Sequence, residues 1–172
     1  MKILSIDTAS NLCTVAVLEN KKCIKEIIVN DARNHSEKIM PVIEQALSES
    51  KLTLQDINLI VCDKGPGSFT GIRIGVGTVL AFKDSLNIPC VGISSLESLA
   101  YNIDSDGIIC SLIDAKNNNV YFGVFEKKNN IVTQLEELSF KTIKEIIPIL
   151  TKYDKGDCYL TNLTRFLIHR TH

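Results

Sequence analysis

Apolar residues recur along this chain at two spacings, and the switches between them mark out strands and helices. MKILSID is a short apolar run that reads as a central strand, and TASNL after it reads as a turn. CTVAVLE and CIKEIIV follow as antiparallel strands joined by NKK. In HSEKIMPVIEQALSESK, Ile39, Val42, Ile43, Ala46 and Leu47 fall at helical spacing, and Pro41 is expected to kink this helix or mark its first turn. Thr53 and Asp56 form a capping-box pattern before an apolar strand, Ile57 to Cys62. NIPCVGI reads as a further strand and SSLESLAYNI as a helix capped by Ser94 or Ser95.

Between these lies the stretch around which the chain is organised, DKGPGSFTGIRIGVGTVLAF. A glycine-rich turn, KGPGSFTG, feeds a helix in which Ile72, Val76, Val79 and Leu80 keep helical spacing. Each interior glycine costs a helix about 1 kcal/mol against alanine, so packing must recover the loss. Gly71 and Gly75 are four apart and share a face that another backbone can approach closely. That face reads as a docking surface, and Gly75→Leu is expected to weaken pairing with a partner while leaving the lobe folded.

The chain also repeats itself. A shift of about 107 positions, with no gap, lays Asp7 on Asp114, Asn11 on Asn118, Val17 on Val124 and Ile24 on Ile131. Both copies read strand, turn, strand, turn, strand, then an amphipathic helix, the second being KTIKEIIPILTKY. We expect two homologous lobes, 1–104 and 105–172, the second an incomplete copy that stops before a second glycine helix. The tail, DKGDCYLTNLTRFLIHRTH, has no clear period.

Composition narrows the chemistry. A formal net charge of −1 argues against autonomous nucleic-acid binding through phosphate neutralisation. The absence of Trp and the presence of only four Tyr argue against base-stacking platforms. No apolar run reaches membrane-spanning length, and the N-terminus reads as a strand rather than a signal peptide. The six cysteines form no C-x-x-C pair and read as small buried hydrophobes in a reducing cytoplasm.

Candidate sites follow from strand ends and loops. Asp7, with Thr8 and Ser10 in the turn behind it, is a candidate anion or nucleotide site, with Asp114 as its counterpart; an ordinary strand-to-hairpin turn accounts for the same residues. KGPGSFTG lacks the G-K-[ST] ending of a phosphate-binding loop and the spacing of a nucleophile elbow. His35 sits at a helix start, where capping or solvent exposure is the ordinary role, and His169 and His172 lack a carboxylate neighbour. No catalytic or metal-binding constellation can be assembled. The helix from Ser36 to Ser50 and the glycine helix carry more apolar surface than one sheet face must cover. We therefore take Ile39, Met40, Ile43, Leu47, Gly71, Ile72, Gly75, Val76 and Val79 as a candidate partner interface.

Together MKILSIDTAS, ARNHSEKIMPVIEQAL, KGPGSFTGIRIGVGT, IPCVGISSLESLA and IDAKNNNVYFGVF resemble the TsaB (YeaZ) family, a non-catalytic bacterial partner in threonylcarbamoyladenosine synthesis on tRNA. The resemblance runs from Met1 to Phe125. It implies the duplicated α/β lobes of actin, sugar kinases and the Hsp70 ATPase, a ribonuclease H-like fold with mixed sheet. It implies no cofactor, pairing with the catalytic paralogue TsaD through the first-lobe helices, and a homodimer through the same surface. A P-loop ATPase, TsaE, completes the implied assembly, with tRNA reached only indirectly. The H-x-x-x-H metal motif of TsaD falls on Ser95 and Leu99 here, and His35 matches a histidine common to both families. KNNN replaces the family's arginine-containing D-A-R-M run, and the residues after Lys155 do not resemble it. The rival readings are a nucleotide-binding ATPase or phosphotransferase of the same fold, using Asp7 and Asp114, and a metallopeptidase.

Overall fold

A computed structural model describes residues 1–30 and 34–154. They form two compact units that divide between Ser95 and Leu96. His169, His172, Cys158 and the tail from Lys155 lie outside the described residues, as do Ala32 and Arg33.

The first unit runs β1 (Lys2–Asp7), β2 (Leu12–Glu19), β3 (Lys22–Asn30), α1 (His35–Glu49), a single 3-10 turn (Leu54–Asp56), β4 (Leu59–Asp63), α2 (Phe69–Leu86) and β5 (Cys90–Ile93). Its sheet has the order β3-β2-β1-β4-β5; β1 is antiparallel to β2 and parallel to β4, and β4 is parallel to β5. Strand alternation places Leu4, Ile6, Val15, Val17, Ile60 and Cys62 on one face. There they pack with Ile39, Ile43 and Leu47 of α1 and Val79 of α2. Asn20 and Lys21, both at positive φ, form a two-residue hairpin turn, and Lys22, the last residue of NKK, already belongs to β3. Asp56 accepts hydrogen bonds from Thr53 N at 2.9 Å and Thr53 Oγ1 at 2.8 Å, as the capping pattern requires. Pro41 lies inside α1 on its exposed side, where water can serve the carbonyl that the proline leaves unpaired.

The glycine face of α2 is occupied by the chain's own backbone. Ser68 Oγ caps the helix by accepting from Gly71 N at 3.2 Å, and Ser68 N donates to Ala9 O at 2.6 Å. Thr8 Oγ1 donates to Gly71 O at 2.7 Å. A Cβ at Gly67 would collide with Ala9 O, one at Gly71 with Thr8 O, and one at Gly75 with Thr8 Oγ1. The docking surface anticipated from sequence is therefore internal: the backbone that approaches is the β1–β2 turn. Gly75→Leu would strike Thr8 inside the lobe before it met any partner, which corrects the expectation that the lobe tolerates it.

The second unit contains α3 (Ser95–Tyr101), whose first residue belongs to the first unit, then β6 (Gly107–Asp114), β7 (Asn119–Lys128), β8 (Ile131–Gln134), β9 (Ser139–Thr142) and α4 (Ile143–Tyr153). The sequence places a lobe boundary at 104/105; α3 instead buries Leu96 and Ala100 with Phe125 of β7. The buried Lys127 Nζ donates to Tyr101 O at 3.0 Å and to Ile103 O, holding the end of α3. β7 pairs with β6 on one side and with both β8 and β9 on the other, so one strand position is split in two. Thr142 and Glu145 cap α4 reciprocally, Thr142 N reaching Glu145 Oε2 at 2.7 Å and Glu145 N reaching Thr142 Oγ1 at 3.3 Å.

The internal repeat is visible in burial. Cys13, Val15 and Val17 correspond to Val120, Phe122 and Val124, and Ile39 and Ile43 to Ile146 and Leu150; all are buried. The first strand breaks the gapless alignment. Asp7 pairs with Thr14, whereas Asp114 pairs with Val120, so the second hairpin is one residue shorter. Leu4 and Ile6 thus correspond to Cys110 and Leu112, which pack toward α4. Asp7 follows Ile6 by one residue and points away from α1, while Asp114 follows Leu112 by two and lies on the α4 side. The two aspartates are not counterparts on a common face.

Gly71→Ala is expected to destabilise the first lobe by about 3 kcal/mol through overpacking against Thr8. Gly77→Ala, in the same helix but exposed and with nothing near its Cβ position, is expected to stabilise by up to about 1 kcal/mol. Urea unfolding of the two variants measures both signs; equal effects would remove the close contact from the account.

Candidate functional site

The ends of β1 and β4 bring two carboxylates together. Ile6 lies opposite Cys62 in the parallel ladder, so Asp7 and Asp63 follow side by side on the face away from α1 and α2. Asp63 is buried, and its Oδ1 accepts from Gly65 N and from Ser95 Oγ, each at 2.6 Å. Ser95 N donates in return to Gly65 O at 3.0 Å, which ties the start of α3 to the GPG loop. Gly65 adopts φ +90°, a conformation that suits only glycine.

Asp7 Oδ1 accepts from Ala9 N at 2.8 Å. Burial raises the Asp7 carboxyl above its ordinary pKa; the Ala9 N–H opposes that shift, the Asp63 charge adds to it, and the charge on His35 opposes it. His35, expected at the surface or as a cap, is 4% exposed. Its Nε2 lies 3.1 Å from Ser10 O, an oxygen that can only accept, so Nε2 carries a proton. Its Nδ1 is buried and has no hydrogen-bond partner among the described residues. His35 therefore anchors the start of α1 to the same β1–β2 turn that α2 clasps.

The candidate anion-binding residues are largely committed to their own fold. Thr8 Oγ1 points to Gly71 O, Ala9 N to Asp7, and Ser10 Oγ accepts from Leu12 N at 3.1 Å. Asp114 is exposed and joined to Lys116, through its N at 2.8 Å and its Nζ at 2.9 Å; Lys116 holds this carboxyl below its ordinary pKa. At the positions of the metal motif, Ser95 Oγ is held by Asp63, and Leu99 is an exposed hydrocarbon. Among the described residues, no three His, Cys, Asp or Glu side chains converge as a metal site. Burial pushes the thiols of Cys62 and Cys110 up to about 11, so both stay protonated and poorly nucleophilic at neutral pH.

The candidate partner residues divide sharply. Ile39, Ile43, Leu47, Gly71, Gly75 and Val79 are buried within the first lobe, so a partner cannot reach them there. Ile72 and Val76 are half-buried, and Met40 is 40% exposed. Met40 borders a groove of about 440 Å³ beside α1 and α2, with Leu54, Ala81, Phe82 and Leu86 around it. Sequence reasoning missed this second half of the groove. A signal exists in the sequence, because Phe82 and Leu86 are four apart near the end of α2, beyond its glycines.

Two lobes built on one β-β-β-α pattern, the first continuing into parallel strands, define a duplicated α/β protein with a mixed sheet. A family model described as TsaD: tRNA N6-adenosine threonylcarbamoyltransferase matches residues 22–162. The chain is 40% identical over 161 residues to the tRNA threonylcarbamoyladenosine biosynthesis protein TsaB of Bacillus subtilis (strain 168), covering 93% of this chain and 70% of that protein. It is 32% identical over 150 residues to TsaB of Escherichia coli (strain K12), covering 86% of this chain and 64% of that one. The structure of YeaZ from Pseudomonas aeruginosa superposes with a TM-score of 0.76 at 26% identity, covering 82% of this chain and 67% of that one. The chain belongs to the TsaB family. It spans roughly two thirds of the length of these relatives, and no helix among its described residues is long and apolar enough to cross a membrane.

Asp7→Asn keeps an oxygen for Ala9 N and removes the charge facing Asp63. Because the folded pKa lies above the unfolded one, ionised Asp7 costs stability at neutral pH, and the cost disappears as pH falls through the folded value and below about 3.8. The substitution should raise the melting temperature at pH 7 and give no gain near about pH 3. A gain of equal size at both values would mean that ionisation of Asp7 is not the cause.

Proposed function

We propose that this chain is a non-catalytic pairing subunit that docks on a TsaD-like catalytic protein, for threonylcarbamoylation of the tRNA adenosine beside the anticodon. The observation that carries this reading is the α1–α2 groove, where Met40, Ala81 and Leu86 remain exposed around an apolar hollow. An exposed apolar hollow of this kind is what a partner helix covers. The names of the relatives support the pathway. The polar turn supports the non-catalytic role, since Thr8 Oγ1 and Ala9 N are already spent inside the lobe. A phosphotransferase would need those donors for phosphate, and a metallopeptidase would need ligands where Ser95 and Leu99 stand.

In this reading a TsaE-like P-loop ATPase joins the assembly in the cytoplasm, and tRNA is met through the partner. A second copy of this chain takes the groove when the TsaD-like protein is absent. Ile39, Ile43, Leu47, Gly71, Gly75 and Val79 support the surface from behind, and Met40 is the candidate that touches the partner.

Met40→Glu and Ala81→Arg place charge in the groove at exposed positions. Light scattering of each variant with the TsaD-like protein from the same cell should show at least about tenfold weaker complex formation at an unchanged melting temperature. Undiminished complex formation in both variants would displace the interface from this groove.

A further inference from the structure

A second apolar feature lies on the other flank of α2, against the sheet edge. β5 is the last strand of its sheet, and Pro89 O accepts from Ile60 N of β4 while Ile93 O accepts from Lys64 N just past it. By alternation the N–H and C=O groups of Cys90 and Gly92 point outward, away from β4. Beneath this edge is a cavity of about 160 Å³ with an apolar lining that includes Cys62, Val76, Leu80 and Val91. Leu80 of α2 is 45% exposed, so the cavity opens to solvent between the helix and the sheet edge. A cavity of about 150 Å³ is large enough to hold benzene. Lys64 stands at the mouth, its stem lying across Gly92, and its ammonium makes no ion pair among the described residues.

These features call for a particular shape of ligand. Outward peptide groups recognise an extended main chain, a pocket beneath a sheet edge takes one side chain of the added strand, and a cation beside it favours a carboxylate. We propose that the β5 edge is a strand-addition site for an extended segment of a partner protein carrying a large apolar side chain beside an acidic one. The strand is four residues long and preceded by Pro89, which limits indiscriminate pairing and leaves selection to the pocket and Lys64. The cavity and the α1–α2 groove share no lining residue.

The probe is a fluorescein-labelled peptide of sequence TVFVET, with TVFVKT as its charge-reversed counterpart. Anisotropy titration should show saturable binding of TVFVET with a Kd at or below about 1 mM. Leu80→Lys should weaken it at least about tenfold, and Lys64→Glu should reverse the preference toward TVFVKT. Hydrogen exchange on the unsubstituted protein should slow at the amides of Cys90 and Gly92 when TVFVET is added, a readout independent of how the variants fold. No saturable binding, binding indifferent to Leu80→Lys, or protection confined to other segments would overturn the proposal.

Discussion

The close approach of the β1–β2 turn to α2 is the contact on which the first lobe depends. Three glycines, Gly67, Gly71 and Gly75, leave no side chain between the helix and Thr8–Ala9. Two hydrogen bonds, Ser68 N to Ala9 O and Thr8 Oγ1 to Gly71 O, fill the space so made. Helical propensity is lost at Gly71 and Gly75, and the lobe recovers it by joining the end of a central strand to the start of a helix that follows a different strand. His35 fastens α1 to the same turn through Ser10 O. One short turn thus sets the positions of both helices, and with them the walls of the α1–α2 groove.

The same contact shapes the chemistry left to the lobe. In a fold of this kind a strand-end turn of aspartate and hydroxyl residues is well placed to hold an anion, but here its donors point into the protein. Asp7 and Asp63 stand together at the strand ends, and Asp63 is engaged by Gly65 and Ser95 in fixing the loop. Among the exposed residues around α2 are apolar ones: Met40, Ala81 and Leu86 on one flank and Leu80 on the other.

Much of the architecture was legible in the sequence. The repeat, the three-strand-then-helix succession of the first copy, the hairpin at Asn20–Lys21 and the Thr53–Asp56 cap follow from local patterns that local physics decides; the fourth strand of the second copy, Ser139–Thr142, did not show. The gapless repeat succeeded wherever a buried face had to be kept, as at Val15 and Phe122 or Ile43 and Leu150. It failed where a turn lost one residue, since turn length is free to vary while core spacing is not; Asp7 and Asp114 were matched by that error. The site was less legible. The glycine face announced a close neighbour, but helical spacing says only that a backbone approaches, not whose. Sorting Met40 from Ile39 and Ile43 requires the tertiary packing, because all three lie within one turn or so of the same helix.

The central claim is that the glycine face is internal and the partner surface lies on the groove beside it. Hydrogen-exchange mass spectrometry of this chain, alone and with the TsaD-like protein of the same cell, tests it directly. The account predicts added protection around Met40 and from Thr78 to Leu86, with the Thr8–Ser10 turn and Gly67 to Gly75 already protected in the chain alone. New protection appearing at Gly67 to Gly75 and the turn, with none at Thr78 to Leu86, would contradict it.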